Sequence, residues 1–387
     1  MTATATQTNV TKVKSFLSRL EDPMFNFQIL FGATLILLIG GVTMVISASS
    51  VFSFETYGNS WALAERQFVF ALFGVFCMWR VSFWSPRATR KWCVLLLVGS
   101  IGALVLVLLI GTSVNGQRNW LEFGPLRLQP SELAKLAVIL WAAHMLTFKQ
   151  AHLKYARHLL IPIVPIFGLI LLLILAEGDL GTAMVITPVM MAMFLFVGVP
   201  KRWLAGVSVV GLLGIVYYTY KAPYRAQRFT AWLHPDSDPS GIGFQLAHAK
   251  QAMGAGGWWG LGLGGSREKW GTLPEAHTDF IYAVIGEETG LLGTFAILGL
   301  FGAIAVIGFR IARRAPDPYV KLVAAGITTW ITVQMLVNVC AVLGVMPITG
   351  VPLPLVSYGG SSLVPTLVGL GILMSFARNE AALAAVE

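Results

Sequence analysis

Charge is what this chain has least of. Only 12% of its 387 residues are Asp, Glu, Lys or Arg, against roughly 25% in a soluble domain, which excludes an ordinary water-facing surface. Cysteine is nearly absent as well. Cys77, Cys93 and Cys340 all lie in apolar runs, so neither a disulfide framework nor metal-ligand spacing is available. There is no repeat period, and the basic face of a nucleic-acid binder is missing. The opening MTATATQTNVTKVKSFLSRL lacks the short apolar core and small-residue cleavage site of a secretory signal, and reads as a polar, basic tail. Acidic residues are outnumbered 18 to 27, a net charge of +9 that needs its own explanation.

What fills the chain is apolar: 56% of residues are hydrophobic and the mean hydropathy is +0.74. A spanning helix needs about 20 mostly apolar residues, and ten runs qualify, near 28–48, 61–83, 91–111, 131–147, 158–176, 180–198, 202–220, 285–309, 319–344 and 360–377. The expectation is an all-α integral membrane protein of about ten transmembrane helices. Lys and Arg collect on cytoplasmic segments; with both termini cytoplasmic, seventeen of the 27 fall inside, eight outside, and Arg66 and Lys135 within spans. The charge is thus mostly a topology signal. This divides the chain into a cytoplasmic tail (1–26), a membrane domain (27–378) with one long extracytoplasmic loop (221–278) between helices 7 and 8, and a short cytoplasmic end (379–387).

The eight outer basic residues are the exception: Arg118 and Arg127 before span 4, then Lys221, Arg225, Arg228, Lys250, Arg267 and Lys269 in the long loop. They suit an anionic partner such as a phosphate, or equally salt bridges to Asp236, Asp238, Glu268 and Glu275. In NGQRNWLEFGPLRLQPSELAK, Pro130 suits a first helical turn, Glu132 follows where the helix dipole favours an anion, and Lys135 shares its face. Lys135 reaches a turn into the span, where an ionisable group is costly and faces a partner or cavity. In EGDLGTA a very tight turn joins spans 5 and 6, with Asp179 placed to cap the second. The 244–253 stretch reads as a short amphipathic helix. GLGLGG follows no strand, so it is not a dinucleotide fingerprint; with Trp258, Trp259 and Trp270 it fits an interfacial loop. The proline-broken 346–362 segment reads as non-helical backbone buried in protein or lining a cavity.

The densest chemistry is PEAHTDFIYAVIGEETG, residues 274–290. Leu291 to Phe309 is long enough to cross the hydrocarbon alone, so these carboxylates belong at or above the outer interface. Thr278 is a candidate N-cap that would set Asp279 in the first turn. Continuing from Asp279 at helical spacing, Ala283, Gly286 and Gly290 form a stripe of small residues. That stripe leaves room either for another helix or for a lipid tail.

NGQRNWLEFGPLRLQPSELAK, GDLGT, DPSGIGFQ, LPEAHTDFIYAVIGEETG and PLPLVSYGGSS together resemble, in order and spacing, the hallmark segments of the SEDS family (shape, elongation, division and sporulation) from about Ser47 to Phe376. LGGSREKW and PEAHTDFIYAVIGEE look more like the division branch, FtsW, than the elongation branch, RodA. GEETG replaces the more usual GEELG at Thr289. The resemblance implies a ten-helix peptidoglycan glycosyltransferase that polymerises lipid II, with inversion, on the outer face of the bacterial cytoplasmic membrane. The family's essential acid falls on Asp279. The resemblance puts the family's loop arginines on Arg118 and Arg127, its Glu and Lys on Glu132 and Lys135 and its Asp on Asp179; with Arg228, Lys250, Lys269, His277 and Ser357 these are the expected substrate-binding residues. A divalent cation (Mg or Mn), no organic cofactor, a class B penicillin-binding protein transpeptidase and divisome or elongasome proteins are also implied. The rival reading is a lipid II flippase that forms no bond; against it, the ionisable residues outside loops cluster at the outer end.

Overall fold

In the computed structural model, residues 23–114, 117–124, 126–149, 162–221, 223–234 and 241–384 are described. Helices dominate: α1 (Pro23–Tyr57), α2 (Ala62–Val81), α3 (Pro86–Ile110), α4 (Pro130–Phe148), α5 (Ile163–Ala176), α6 (Leu180–Val197), α7 (Lys201–Lys221), α8 (Pro223–Leu233), α9 (Ile242–Gly256), α10 (Ile281–Arg314), α11 (Pro318–Val342) and α12 (Gly360–Ala384). Proline opens α3, α4 and α11 at positions where its missing N–H has no helical partner to lose.

Every expected span contains a helix where it is described. Eight helices among the described residues, α1 to α4, α6 and α10 to α12, are long and apolar enough to cross a membrane. Of the two other expected spans, α5 is a shorter apolar helix of 14 residues, with 158–161 lying outside the described residues, and α7 is not among the eight. The tight turn is present: α5 ends at Ala176, α6 begins at Leu180, and Asp179 caps α6 by accepting from the Thr182 N–H at 2.9 Å. The inner positions of the bundle go to α4 and α11, whose buried faces run nearly their whole length.

One correction to an all-α chain is a three-stranded antiparallel sheet, β1 (Thr112–Val114), β2 (Gln117–Phe123) and β3 (Leu126–Leu128), between α3 and α4. Its cause is local. In β2, Asn119 and Leu121 are buried while Arg118 and Glu122 face out, the two-residue alternation of a half-buried strand. Glu122 lies opposite Arg127 in the register and pairs with it at 2.8 Å.

A second feature organises the outer end of α10. Gly290 takes φ 69°, ψ −168°, so the helix is broken into 281–289 and 291–314. The carbonyls of Glu287 and Glu288, robbed of their helical partners, accept from the N–H groups of Leu261 and Gly262 at 2.9 and 3.0 Å. The N–H groups of Leu291 and Leu292 donate to the carbonyls of Gly257 and Trp258 at 2.9 and 3.4 Å. The glycine-rich loop therefore repairs the break, as buried backbone polar groups require. Only glycine satisfies both demands at 290, the positive φ and the backbone of Trp258 and Gly260 lying where a β-carbon would go.

Candidate active site

Three of the carboxylates in the 274–290 stretch are committed to holding structure. Glu287 accepts from Ser266 Oγ at 2.6 Å and from the Arg267 N–H at 2.9 Å. Glu288 accepts from Ser47 Oγ at 2.6 Å and pairs with Lys269 at 3.3 Å. Both are buried, and together they clamp the glycine-rich loop onto α1 and α10. Glu275 holds a positive φ of 56° and accepts from Thr278 Oγ1 at 2.7 Å.

That last bond overturns Thr278 as the cap. Its hydroxyl is turned back to Glu275, and the Phe280 N–H donates to the Glu275 carbonyl at 3.3 Å. The helix therefore starts at Ile281 with no side-chain cap, and Asp279 stands just ahead of its first turn. The stripe of Ala283, Gly286 and Gly290 is filled by protein. α9 lies against it through Gly243, Leu246, Ala249, Ala252 and Gly256, its buried face, and a β-carbon on Gly256 would run into the Gly286 carbonyl. Helix packing, and not a lipid-tail trough, accounts for these small residues.

Asp279 is held through its backbone. Its carbonyl accepts from Asn338 Nδ2 at 2.9 Å, and the same amide donates to the Val351 carbonyl at 2.8 Å. One turn earlier on α11, Gln334 Nε2 donates to the Pro352 carbonyl at 3.1 Å. Ser357 Oγ donates to the Thr278 carbonyl at 2.6 Å and accepts from the Leu353 N–H at 2.8 Å. The segment between α11 and α12 is non-helical as expected, and these bonds fasten it over the 277–280 turn. His277 is buried, its ring stacked on Phe52 at 5.0 Å and tilted against Tyr358 at 5.7 Å.

The Asp279 carboxylate itself receives no hydrogen bond or ion pair from the described residues. Its Oδ2 and the Arg228 Nη1 both lie beside Gly350, each 3.7 Å from where a β-carbon there would sit. Burial, reinforced by the negative charge of Glu275 and opposed by Arg228, pushes the Asp279 carboxyl up to about 7. Burial also holds His277 below the ordinary imidazole range, opposed by Glu275.

The remaining sequence-derived residues divide by what they touch. Lys135 and Glu132 form a closed pair at 2.9 Å, each 2% exposed as a residue; Lys135 also donates to Gln334 Oε1 at 2.8 Å and sits 5.3 Å from the Trp330 ring. Asp179 accepts from Gln129, Ser131 and the Thr182 hydroxyl at 2.9, 3.0 and 2.7 Å besides its capping bond. Arg118 ends α3, donating to the carbonyls of Gly111 and Leu109 at 2.8 Å each. Arg127 is held by Glu122, and Lys269 by Ser47, Gly264 and Glu288. Of the expected salt-bridge acids, Glu268 meets His248 at 2.7 Å, while Asp236 and Asp238 lie outside the described residues. Arg228 donates to the Ile348 carbonyl at 3.3 Å, and Lys250 lies across Gly344, so these two basic side chains lie along the 343–359 segment that overlies Asp279.

Gln334 and Asn338 went unread in the sequence, although two carboxamides four residues apart in an apolar span were the available signal. Among the described residues no three His, Cys, Asp or Glu side chains converge into an all-protein metal cage; a Mg-type cation is held instead by one or two carboxylates together with substrate phosphates.

Comparison with known proteins gives a consistent result. The family model described as cell cycle protein, FtsW/RodA/SpoVE, matches residues 27–382. Stage V sporulation protein E of Bacillus subtilis (strain 168) is 40% identical over 350 residues, 89% of this chain and 95% of its own. A probable peptidoglycan glycosyltransferase FtsW of Mycobacterium tuberculosis is 37% identical over 363 residues, 93% of this chain and 69% of its own. Among solved structures, a chain from work on the structural coordination of polymerization and crosslinking by a peptidoglycan synthase complex superposes with a TM-score of 0.71 at 30% identity, covering 87% of this chain and 96% of that one. The rod shape determining protein RodA of Thermus thermophilus gives 0.68 at 28% identity, covering 90% and 96%. The flippase reading gains nothing from these names.

Proposed function

This chain belongs to the FtsW/RodA/SpoVE family of cell cycle proteins, and from that premise we propose that it is a membrane-embedded peptidoglycan glycosyltransferase with Asp279 as its general base. Its substrate in this reading is lipid II, joined into glycan strands on the outer face of the cytoplasmic membrane, for the septum or the lateral wall. Ten spans complete the topology, α5 and α7 joining the eight, with both termini cytoplasmic and 221–278 outside. One observation carries the assignment. In a stretch whose other carboxylates are bonded to the protein, the Asp279 carboxylate has no bonded partner among the described residues and lies near a guanidinium.

The chemistry follows from that arrangement. The acceptor's sugar hydroxyl forms the new bond to the donor's anomeric carbon and gives its proton to the Asp279 carboxylate. The bond from that carbon to the polyprenyl pyrophosphate breaks, and the pyrophosphate leaves with the electron pair. Displacement from the opposite face turns an α-linked donor into a β-linked strand. The charge growing on the leaving group needs preorganised cations; Arg228 and Lys250 are best placed, and Arg127, in an exposed ion pair of little net strength, can exchange partners. A class B penicillin-binding protein is the partner this reading expects, since strands made here require cross-linking.

The reading makes a signed prediction. A base must be deprotonated, so the rate falls as pH drops through the Asp279 pKa. Glu275 raises that pKa and Arg228 lowers it, while burial disfavours the charged form of His277. Glu275→Gln should move the acid limb of the polymerisation profile to lower pH, and Arg228→Gln should move it higher. Profiles of both variants superposing on the parent's would remove Asp279 from the titration.

A further inference from the structure

The loop that repairs the α10 break carries far more exposed apolar surface than a connector in water sustains. Trp258, Trp259 and Trp270 are 65%, 81% and 70% exposed, and Leu261 and Leu263 stand out beside them. This exposure is built. The loop is held by four backbone bonds to 287–292 and, from its far end, by the buried Glu287, Glu288 and Lys269 network. A segment so fastened cannot fold its indoles inward, and no ring contact among the three tryptophans is present in the described residues.

The surface below it shows what the loop faces. After the break, α10 exposes Leu292, Phe295, Ala296 and Gly299, then Val306, at helical spacing. That is a single outward stripe on a helix long and apolar enough to span a bilayer. The loop sits directly on the top of this stripe, because the Leu292 N–H donates to the Trp258 carbonyl. Trp is favoured at headgroup level, where one edge of the indole is wet and the ring is not. The exposed Arg267 beside Trp270 supplies a positive charge where an outer leaflet presents phosphate.

We propose that residues 257–270 form a rigid membrane shelf, a lipid-binding surface whose indoles sit in the headgroup and upper acyl layer of the outer leaflet, continuous with the lipid-facing stripe of α10. The shelf fixes depth. Asp279 follows Trp270 by nine residues on the same fastened segment, so shelf and carboxylate keep one height relative to the bilayer. The inference does not depend on what Asp279 does.

The test uses the unaltered protein in nanodiscs of phosphatidylethanolamine and phosphatidylglycerol carrying a diazirine on an upper acyl carbon. Photolabelled residues are mapped by mass spectrometry, with hydroxyl-radical footprinting of the same sample. Label on 257–270 should reach within about twofold of that on 292–306, as expected for an interfacial aromatic segment. Trp258 and Trp259 should be protected from radicals relative to denatured protein, while the exposed Leu128 of β3 reacts freely. Radical oxidation of these tryptophans without lipid label overturns the proposal, since the shelf is then in water. Absence of both overturns it too, because another protein surface then covers the shelf.

Discussion

Asp279→Asn should lower glycan polymerisation from purified lipid II by at least about a hundredfold, the usual contribution of a positioned base, with folding unchanged. The amide keeps the size and shape of the carboxyl and removes only its ability to take a proton. The backbone bonds that hold the turn, from Asn338 and Ser357 to the carbonyls of residues 279 and 278, do not involve the side chain. Since the carboxylate has no bonded partner among the described residues, its loss orphans nothing. The same thermal transition and the same lipid II binding are therefore expected alongside the lost polymer. The reaction should be run with and without the transpeptidase partner, so that loss of stimulation is not taken for loss of chemistry. Polymer at the parent's rate from the variant would exclude Asp279 as the base.

The second large effect is on stability. Lys135→Ala should destabilise the protein by about 3–5 kcal/mol, the usual cost of leaving a buried charge without its partner. Glu132 is enclosed with it, and one carboxylate oxygen of Glu132 already has no bond. The Gln334 oxygen would keep only its bond from Trp330 Nε1, at 2.7 Å. Replacing both partners, Lys135→Met with Glu132→Leu, should recover most of the loss, because apolar groups of similar volume replace a buried pair at little net cost. Thermal unfolding of the two variants in detergent measures this. If Lys135 instead grips substrate, Lys135→Ala would weaken lipid II binding at an unchanged unfolding temperature.

Legibility in the sequence followed the range of the forces involved. The helices were readable because each apolar run is its own signal: where described, α2, α4, α6 and α11 match the expected spans to within a few residues at either end. The turn at 177–179 and the cap by Asp179 are local and were equally visible. The sheet at 112–128 was not, since two of its strands are three residues long and only the seven-residue β2 shows alternation. Thr278 misled because a capping side chain and a turn side chain use the same hydroxyl, and the left-handed Glu275 that captures it leaves no mark in the letters. Residue type alone could not divide the outer cations. Arg118, spent on carbonyls seven and nine positions away, and Arg228, beside the acid and bonded to a carbonyl 120 positions away, look identical in the letters. Glu287 and Glu288 share the acidic stretch with Asp279 in sequence and are clamps in space, set by Ser266 and Ser47.

Burial and Glu275 push the Asp279 carboxyl up to about 7, and it must lose its proton to act as a base. The most direct test is kcat/KM for polymerisation by the unaltered protein, measured at low lipid II, as a function of pH. It should climb with a one-proton slope through a midpoint near the Asp279 pKa of about 7 and then level off. A kcat/KM that stays flat from about two pH units below that midpoint to above it would contradict this, because a protonated base could not be carrying the reaction.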